Sequence, residues 1–459
     1  MDMLNRSHMR KWQVSAAAMA AAASLLLAAQ PGAGKTIVIL TALSDALASG
    51  RIHRALLIAP RAILDSVFEA EARRWEHTHH LQFDFAHRHT GTERNHLWFK
   101  GTGHIVTCTP DTVPALAAEV MRRGIIPFES ITADEGQLFK APGSTRTKAL
   151  HALAGAVDHF IFSSGTPTPN GSVDGWSPGR LVAKDNPFWS ENFHAWRGRH
   201  FNKASTFTWR PKPGTDQRVR DELAKCGISI RLDQASDIPA AVYGVHPFEF
   251  DAKHRQRIVD FMRDGEIEVG GEPFGSDSEE ARLTLLHELT CGFIYRDGVA
   301  AELSMGRVEA LRDLVETVQG PVLVGVKFKA DAEMIRRAFP KAVVYAGSTP
   351  AADRARIIED WNADRIQMLL GSPSSMGLGL NLQLGSAQTV VWYSMPWSWE
   401  LFAQFNARLI RSGQRKTVSV MRLESTVGID KAVAAVIERK QSGEKALLAA
   451  LNIVKGTAA

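Results

Sequence analysis

Apolar residues along this chain fall into short runs bounded by turn residues or charges, with amphipathic stretches between them. In the first half the runs are residues 24–28, 55–59, 104–107, 130–133 and 159–163. In the second half they are 321–326, 342–345, 367–370, 389–393 and 418–423. Runs of this length alternating with helical patterns predict parallel strands with helices on both faces of a sheet. Leu64, Val67, Phe68, Glu71 and Trp75 show the helical spacing, with Glu71 as the polar break. Five runs in each half predict two α/β domains, residues 1–240 and 241–459, rather than one large sheet. Residues 171–238 interrupt the rhythm with Pro, Gly, Trp and Phe, which predicts a helical or irregular insertion on the first domain. Residues 264–277 are Gly-rich and acidic and predict a loop. No repeat with a period of about 20–50 residues is present.

The N-terminal segment admits two readings. Arg6, Arg10 and Lys11 precede an apolar run, residues 14–29, that ends Leu27-Ala28-Ala29, which has the marks of a secretory signal. Cleavage after Ala29 would remove the strand that must hold the loop that follows. The expected reading is therefore an Ala-rich helix, 16–23, and a short buried strand, 24–28. The run is also shorter than the roughly 20 apolar residues that span a bilayer.

That loop carries the strongest chemistry in the sequence: Ala29-Gln30-Pro31-Gly32-Ala33-Gly34-Lys35-Thr36, after a predicted strand and before a predicted helix, 37–47. Triphosphate binding needs this arrangement. Gly32 and Gly34 let backbone N–H groups curl around a phosphate without side-chain clashes. Lys35 can reach the β- and γ-phosphate oxygens, the Thr36 hydroxyl can ligate Mg²⁺, and the helix N-terminus favours the anion. Pro31 and Ala33 complete the loop. Ala29 stands where the general pattern has its first Gly. A second strand, 130–133, runs into Asp134-Glu135. Asp134 would hold Mg²⁺ through water, and Glu135 would orient or deprotonate the attacking water.

With these residues in view, the chain resembles the superfamily-two helicase-like ATPases, and among them the Swi/Snf-type DNA translocases. Trp12-Gln13 is similar to the family's adenine-reading glutamine element. Leu57-Ile58-Ala59-Pro60-Arg61 and Thr107-Cys108-Thr109-Pro110 resemble its elements that touch one nucleic-acid strand. Ser164-Gly165-Thr166-Pro167-Thr168-Pro169-Asn170 resembles its coupling motif. In the second half, residues 321–326 resemble the strand that opens the second lobe. Tyr345 to Thr349, with Arg354 and Trp361, resembles the family's Gly-Ser-Thr element that precedes an amphipathic helix, and Ser372 to Ser375 with Ser374, Gly377, Gly379 and Asn381 resembles the element that binds both DNA and nucleotide. Gln404, Arg408, Arg411, Gly413 and Gln414 reproduce the spacing of the arginine-finger motif. Gln404, Arg408 and Arg411 lie at i, i+4 and i+7, so one helix face would carry both guanidiniums, able to clamp a γ-phosphate. Two positions depart from the family. Gly136-Gln137 follows the acidic pair where relatives usually have Gly or Ala and then His, which bears on coupling rather than hydrolysis. Residues 394–399 lack an acid that many relatives carry. The compact chain is more like a phage or bacterial version than a chromatin remodeller.

Composition changes little of this. The chain has 459 residues, 45% hydrophobic and 22% charged, which excludes disorder and collagen-like repeats. A net charge of +5 says little until its distribution is read. Between His194 and Arg220 seven basic residues (Arg197, Arg199, Lys203, Arg210, Lys212, Arg218 and Arg220) face one acid, Asp216. Trp196, Phe201, Phe207 and Trp209 are interleaved with them. This is a candidate DNA-contact surface outside the motifs, the alternative being a solvated basic face. Lys140, Arg146 and Lys148, just after the acidic pair, could touch a nucleic-acid backbone or pack structurally. His77, His79, His80, His87, His89 and His96 cluster without a zinc spacing. Cys108, Cys226 and Cys291 are far apart, which fits a reducing cytoplasm, bacterial or in a phage-infected cell. No Gly-x-Ser-x-Gly is present.

The resemblance implies two RecA-like lobes, each a parallel sheet flanked by helices. ATP and Mg²⁺ would lie between them, and duplex DNA, or else single-stranded DNA, across both. The expected activity is a nucleic-acid-stimulated ATPase that moves along duplex DNA. A strand-separating DNA or RNA helicase and a non-hydrolysing DNA-binding scaffold are the alternatives.

Overall fold

Each apolar run becomes a strand, most of them buried, and the order of the strands sets where the chemistry can lie. The computed structural model describes residues 3–439 apart from 166, 170, 205–208, 231–237, 270–271, 276–277, 377–379 and 412. The chain divides into two units, Met1–Asp237 and Ile238–Ala459.

The first unit contains β1 (Leu25–Ala29), β2 (Ala55–Ile58), β3 (Phe83–Asp84), β4 (Ile105–Cys108), β5 (Ser130–Ala133), β6 (His159–Ser164), β7 (Phe201–Lys203), β8 (Trp209–Pro211) and β9 (Gly227–Ile230). Seven of these form one sheet in the order β3-β4-β2-β5-β6-β1-β9. Every pairing in it is parallel. The strands β2, β4, β5 and β6 are buried at every position, as a sheet covered by helices on both faces requires.

The segment with leader-like marks is interior structure. The helix Lys11–Ala22 packs its small residues Ala16, Ala17 and Ala20 inward, and β1 pairs with both β6 and β9. His159, on β6, ties that helix to β5: its ring bonds the Ser130 hydroxyl at 2.7 Å and the Ala20 carbonyl at 2.5 Å. Burial holds this imidazole below its ordinary pKa, so it stays neutral near pH 7.

The second unit contains β10 (Val242–Phe248), the hairpin of β11 (Glu266–Val269) and β12 (Glu272–Gly275), and the hairpin of β13 (Phe293–Arg296) and β14 (Val299–Glu302). They are followed by β15 (Val322–Gly325), β16 (Val343–Tyr345), β17 (Met368–Gly371), β18 (Thr389–Trp392) and β19 (Ser419–Ser425). Its six-stranded sheet runs β10-β19-β18-β15-β17-β16, again all parallel. Both units are thus RecA-like lobes of the α/β class. No described helix is long and apolar enough to cross a membrane.

Two expectations change. Residues 264–277 were expected to form a loop, yet Glu266–Val269 and Glu272–Gly275 pair as an antiparallel hairpin. Ile267 supplies the buried anchor that the acidic composition hid. The basic stretch 171–238 is not wholly an insertion either, because its end, β9, is an edge strand of the main sheet beside β1.

The second unit is centred on a buried ion pair. Arg307, only 1% exposed, makes a two-pronged contact with Asp430 at 2.9 Å from each terminal nitrogen. Its remaining donors bond the carbonyls of Tyr393, Thr290 and Leu423 at 2.6, 2.8 and 3.3 Å. One side chain thereby joins the helix Gly306–Glu316 to β19, to the residue after β18 and to two other helices. Breaking a buried pair by removing one partner strands the other charge, at about 3–5 kcal/mol. Arg307→Met should therefore lower the stability of the second unit by that amount in chemical denaturation. A loss below about 1 kcal/mol would show that the pair is not a keystone.

Candidate nucleotide site and nucleic-acid contacts

The loop after β1 is shaped before any nucleotide arrives. Gln30 N–H donates to the Ile230 carbonyl at 3.1 Å, so β9 backs the loop, and Ala33 N–H donates to Gln30 at 3.1 Å. Gly32 and Gly34 have φ of 85° and 94°, the left-handed region that disfavours side chains. A Cβ on Gly34 would also lie 2.7 Å from Gln13 Nε2. Gln13, nearly fully buried, donates to the Gly34 carbonyl at 3.1 Å and accepts from Arg10 N–H at 2.8 Å. Gln13 therefore braces the loop itself. Arg10 adds a contact to the Ala33 carbonyl at 3.4 Å.

Lys35 and Thr36 open the helix Lys35–Ala48. The Lys35 ammonium is buried and has no hydrogen-bond partner among the described residues. A buried cation without hydrogen bonds is expensive, and an anion at this helix N-terminus would relieve the cost.

The acidic pair begins at the end of β5. Asp134 N–H donates to the Ile58 carbonyl at 2.8 Å, and Ser163 Oγ donates to the Asp134 carboxylate at 2.7 Å. Burial pushes the Asp134 carboxyl above its ordinary pKa; the Lys35 charge opposes this and the Glu135 charge adds to it. Glu135 takes φ of 53°, a left-handed conformation costing about 1–3 kcal/mol in a non-glycine residue. Gly136 is required beside it, because a Cβ there would lie 2.5 Å from the Phe162 ring.

Gln137, noted in the sequence only as a departure, links this pair to β6. Its amide nitrogen donates to Glu135 Oε2 at 2.6 Å, and its amide oxygen accepts from Ser164 Oγ at 2.7 Å. A carboxylate only accepts, which fixes the orientation of the amide. An amide thus makes both contacts at the position where relatives usually carry an imidazole. The next residue, Gly165, lies against the phosphate loop: a Cβ there would be 2.8 Å from Pro31 Cδ. Thr166 and Asn170 lie outside the described residues. The polar spacing of Glu135 and Gln137 hinted at the bond, but only the pairing of β5 with β6 brings Ser164 to it.

Other strand-end residues follow the same edge. Pro60 and Arg61 come after β2, and Arg61 is 68% exposed with a contact to Asp65 at 3.4 Å. Thr109 follows β4, its N–H and hydroxyl both meeting Thr112 Oγ1, at 3.1 and 3.0 Å. His87 is buried against Thr107 Oγ1 at 2.7 Å and Asp65 at 2.9 Å, so it is structural. No three His, Cys, Asp or Glu among the described residues form a metal-binding group.

The basic stretch proves partly self-satisfying. Trp196 and Phe201 are buried, so these aromatics build a local core rather than a stacking surface. Arg197 lies over the Phe193 and Trp209 rings at 4.9 and 4.1 Å, Arg199 pairs with Glu191, and Lys212 caps the Gly198 and Arg199 carbonyls. Lys203, Arg210 and Arg220 remain exposed, and Phe207 lies outside the described residues.

In the second unit the single-helix-face expectation for Gln404, Arg408 and Arg411 needs correction. The helix Trp399–Asn406 ends before either arginine. Arg408 N–H bonds Phe405 three residues back, at 3.0 Å, and the chain tightens into turns. The arginines still converge. Arg408 and Arg411 each donate to the Leu380 carbonyl, at 3.2 and 2.9 Å, and Arg408 Nε donates to the Gln404 carbonyl at 2.9 Å. Arg408 is only 6% exposed, which excludes a solvated basic face. Ser374 bonds Ser372 at 2.9 Å, and the exposed Asn381 accepts from Asn362 at 2.8 Å. Gly377 and Gly379 lie outside the described residues.

Two RecA-like lobes, the first bearing a phosphate loop and an acidic pair, define the class of helicase-like ATPases, enzymes that hydrolyse ATP. The SNF2-related domain family matches residues 6–256, over half of the chain, and the helicase conserved C-terminal domain matches residues 306–413. The chain belongs to the SNF2-related family. It is 26% identical over 440 residues to protein p41 of Acyrthosiphon pisum secondary endosymbiont phage 1, covering 92% of this chain and 93% of that protein. An uncharacterized ATP-dependent helicase of Mycoplasma pneumoniae is 24% identical over 435 residues; these are 91% of this chain but 39% of the helicase. Among solved structures, the Sulfolobus solfataricus SWI2/SNF2 ATPase core in complex with dsDNA matches all of this chain at 16% identity, with a TM-score of 0.45.

Three substitutions separate the roles expected at the first unit. Lys35→Ala should lose both ATP binding and turnover. Glu135→Gln should bind ATP and leave it unhydrolysed. Gln137→Leu removes a hydrogen bond to a carboxylate, worth about 1.5–3 kcal/mol, so turnover should fall roughly ten- to hundredfold while ATP affinity holds. Equilibrium nucleotide binding beside single-turnover hydrolysis distinguishes the three. Full turnover in Glu135→Gln would remove that residue from the chemistry.

Proposed function

We propose that this chain is an ATP-driven motor that moves along duplex DNA. Lys35 and the loop from Pro31 to Thr36 would hold the triphosphate, with Gln13 keeping the loop in shape. The Thr36 hydroxyl and Asp134 would hold Mg²⁺, whose charge neutralises phosphate oxygens. Their donor set suits that ion, which takes one or two protein oxygens and completes its shell with phosphate and water. Glu135 would take a proton from the attacking water as the γ-phosphoryl group leaves ADP. Arg408 and Arg411 would supply the positive charge that the γ-phosphate needs during transfer, an effect of roughly 10³–10⁵ in related enzymes.

One observation carries the reading from ATPase to motor. The Glu135–Gln137–Ser164 chain and the Gly165–Pro31 contact join the loop after β6 to both the general base and the phosphate loop. A nucleic-acid strand resting on that loop would therefore act on turnover through two short contacts. A scaffold that never hydrolyses ATP has no use for such a link. Pro60, Arg61, Thr109, Gly165, Thr166, Lys203, Ser374 and Asn381 are the proposed nucleic-acid contacts, with Arg197 and Arg199 shaping the basic stretch around Lys203. The relatives in phage and bacteria favour a bacterial or phage-infected cytoplasm as the place of work.

Duplex DNA should raise ATP turnover well above the basal rate, because DNA would favour the hydrolysing arrangement of the site. Arg411→Ala should lose that stimulation while DNA binding survives. Phosphate release with no nucleic acid, duplex DNA, single-stranded DNA and RNA measures the first, and triplex displacement measures movement along intact duplex. Stimulation by single strands alone, with release of a strand from forks, would turn the reading towards a strand-separating helicase. Turnover indifferent to every nucleic acid would defeat it.

A further inference from the structure

The sheet order of the first unit puts one more strand end beside the candidate contacts. The order β3-β4-β2-β5-β6-β1-β9 separates the parallel sheet into two halves. The nucleotide elements follow β1, β5 and β6. Pro60–Arg61 and Thr109 follow β2 and β4. Beyond β4, among the described residues, lies β3, and its carboxyl end leads through Phe85 to Arg88. No motif includes this segment, and two residues of strand leave no periodicity to read.

Arg88 is held as a contact residue would be. It is exposed at the surface, and its guanidinium lies 3.9 Å from the centroid of the Phe85 ring, which in turn stacks on Phe83 at 5.7 Å. Its Nε bonds Asp65 Oδ1 at 3.0 Å. The other oxygen of the same carboxylate meets Arg61 Nε at 3.4 Å. Both guanidiniums therefore stand on one carboxylate. Two cations and one anion leave one net positive charge. His87 does not add to it, because burial lowers its pKa despite Asp65. Aromatic stacking below and a carboxylate beside it restrict a side chain that would otherwise lose rotamer freedom on binding.

We infer that the nucleic-acid track of the first unit continues across β3, with Arg61 and Arg88 presented by Asp65 as a fork for phosphates of a nucleic-acid backbone. The inference rests on the motor reading above. Arg88 would add affinity without base preference, since phosphates carry no sequence information directly.

The test is duplex binding by the full chain as a function of salt, for wild type, Arg88→Gln and Arg88→Lys. Each phosphate contact contributes about 0.9 to the slope of log affinity against log salt. Arg88→Gln should flatten the slope by about that much and weaken binding severalfold near 0.1 M salt, equally on unrelated sequences. Arg88→Lys keeps the charge and should keep the slope. ATP turnover without DNA should be unchanged in both. An unchanged slope in Arg88→Gln would overturn the inference and leave the motor reading standing. Equal flattening in Arg88→Lys would mean that Arg88 only packs on Phe85, and would overturn it as well. Failure of the wild type to bind any duplex would defeat the motor reading and the inference together.

Discussion

Seven strands of the first unit run in one direction, and that constraint governs the rest of the site. A parallel sheet sends all its carboxyl ends to one edge, and the loops at that edge are where an open α/β sheet binds ligands. The phosphate loop, the acidic pair, the Gly165 loop, Pro60–Arg61 and Thr109 are far apart in sequence. They become neighbours because β1, β5, β6, β2 and β4 end together. Right-handed helical crossovers make this the economical topology for such a chain. The edge therefore holds the glycine-rich loop and the acidic pair towards one end and exposed cations towards the other, and the Glu135–Gln137–Ser164 chain lies within it.

Strain and close packing are both present along the part of that edge formed by β5, β6 and β1. Glu135 has a left-handed backbone, Gly136 faces Phe162 and Gly165 faces Pro31, each without room for a larger side chain. Close-packed interiors resist small displacements, so these contacts leave little slack around Glu135 and Gly165. A shift at the Gly165 loop must move Pro31 or break contact with it. Under the proposed motor reading, that contact is where a bound strand and a bound nucleotide would act on each other.

The fold was largely legible in the sequence because buried parallel strands are continuous apolar runs. Every such run became a strand, to within a residue or two at its ends. What stayed hidden are strands with no continuous apolar run, at sheet edges and in hairpins. β3 has two residues, β9 begins with Gly227 and lies between Lys225 and Arg231, and β10 carries Gly244 and Pro247 on a sheet edge where a missing donor is tolerated. The glycine-rich loop and the acidic pair were visible as motifs because phosphate chemistry demands fixed residue types at fixed spacing. Gln137 and Arg88 were not, because their significance depends on partners 27 and 23 residues away. The helical spacing of Arg408 and Arg411 misled for a related reason. Their convergence comes from a shared acceptor, Leu380, after the helix has ended, and not from a common helix face.

Two buried cations, Arg307 and Lys35, show how the same cost serves opposite ends. Arg307 has every donor group engaged, by a carboxylate and three carbonyls, so its desolvation is repaid within the fold. That arrangement suits a planar guanidinium, whose fixed donors can be matched one by one. Lys35 is a point charge at the start of a helix, with its ammonium buried and no hydrogen bond from the described residues. No carbonyl cage was built for it, although Asp134 lies near enough for each charge to act on the other. The difference is intelligible if the second cation is meant for a ligand that comes and goes. A fully satisfied lysine would gain little from a phosphate, whereas an unsatisfied one converts its own desolvation cost into affinity. The same reasoning explains why the surrounding loop is braced by Gln13 and Arg10 through backbone carbonyls. Those contacts hold the glycines in place without competing for the ammonium, so the fold is stabilised around the charge and not by it.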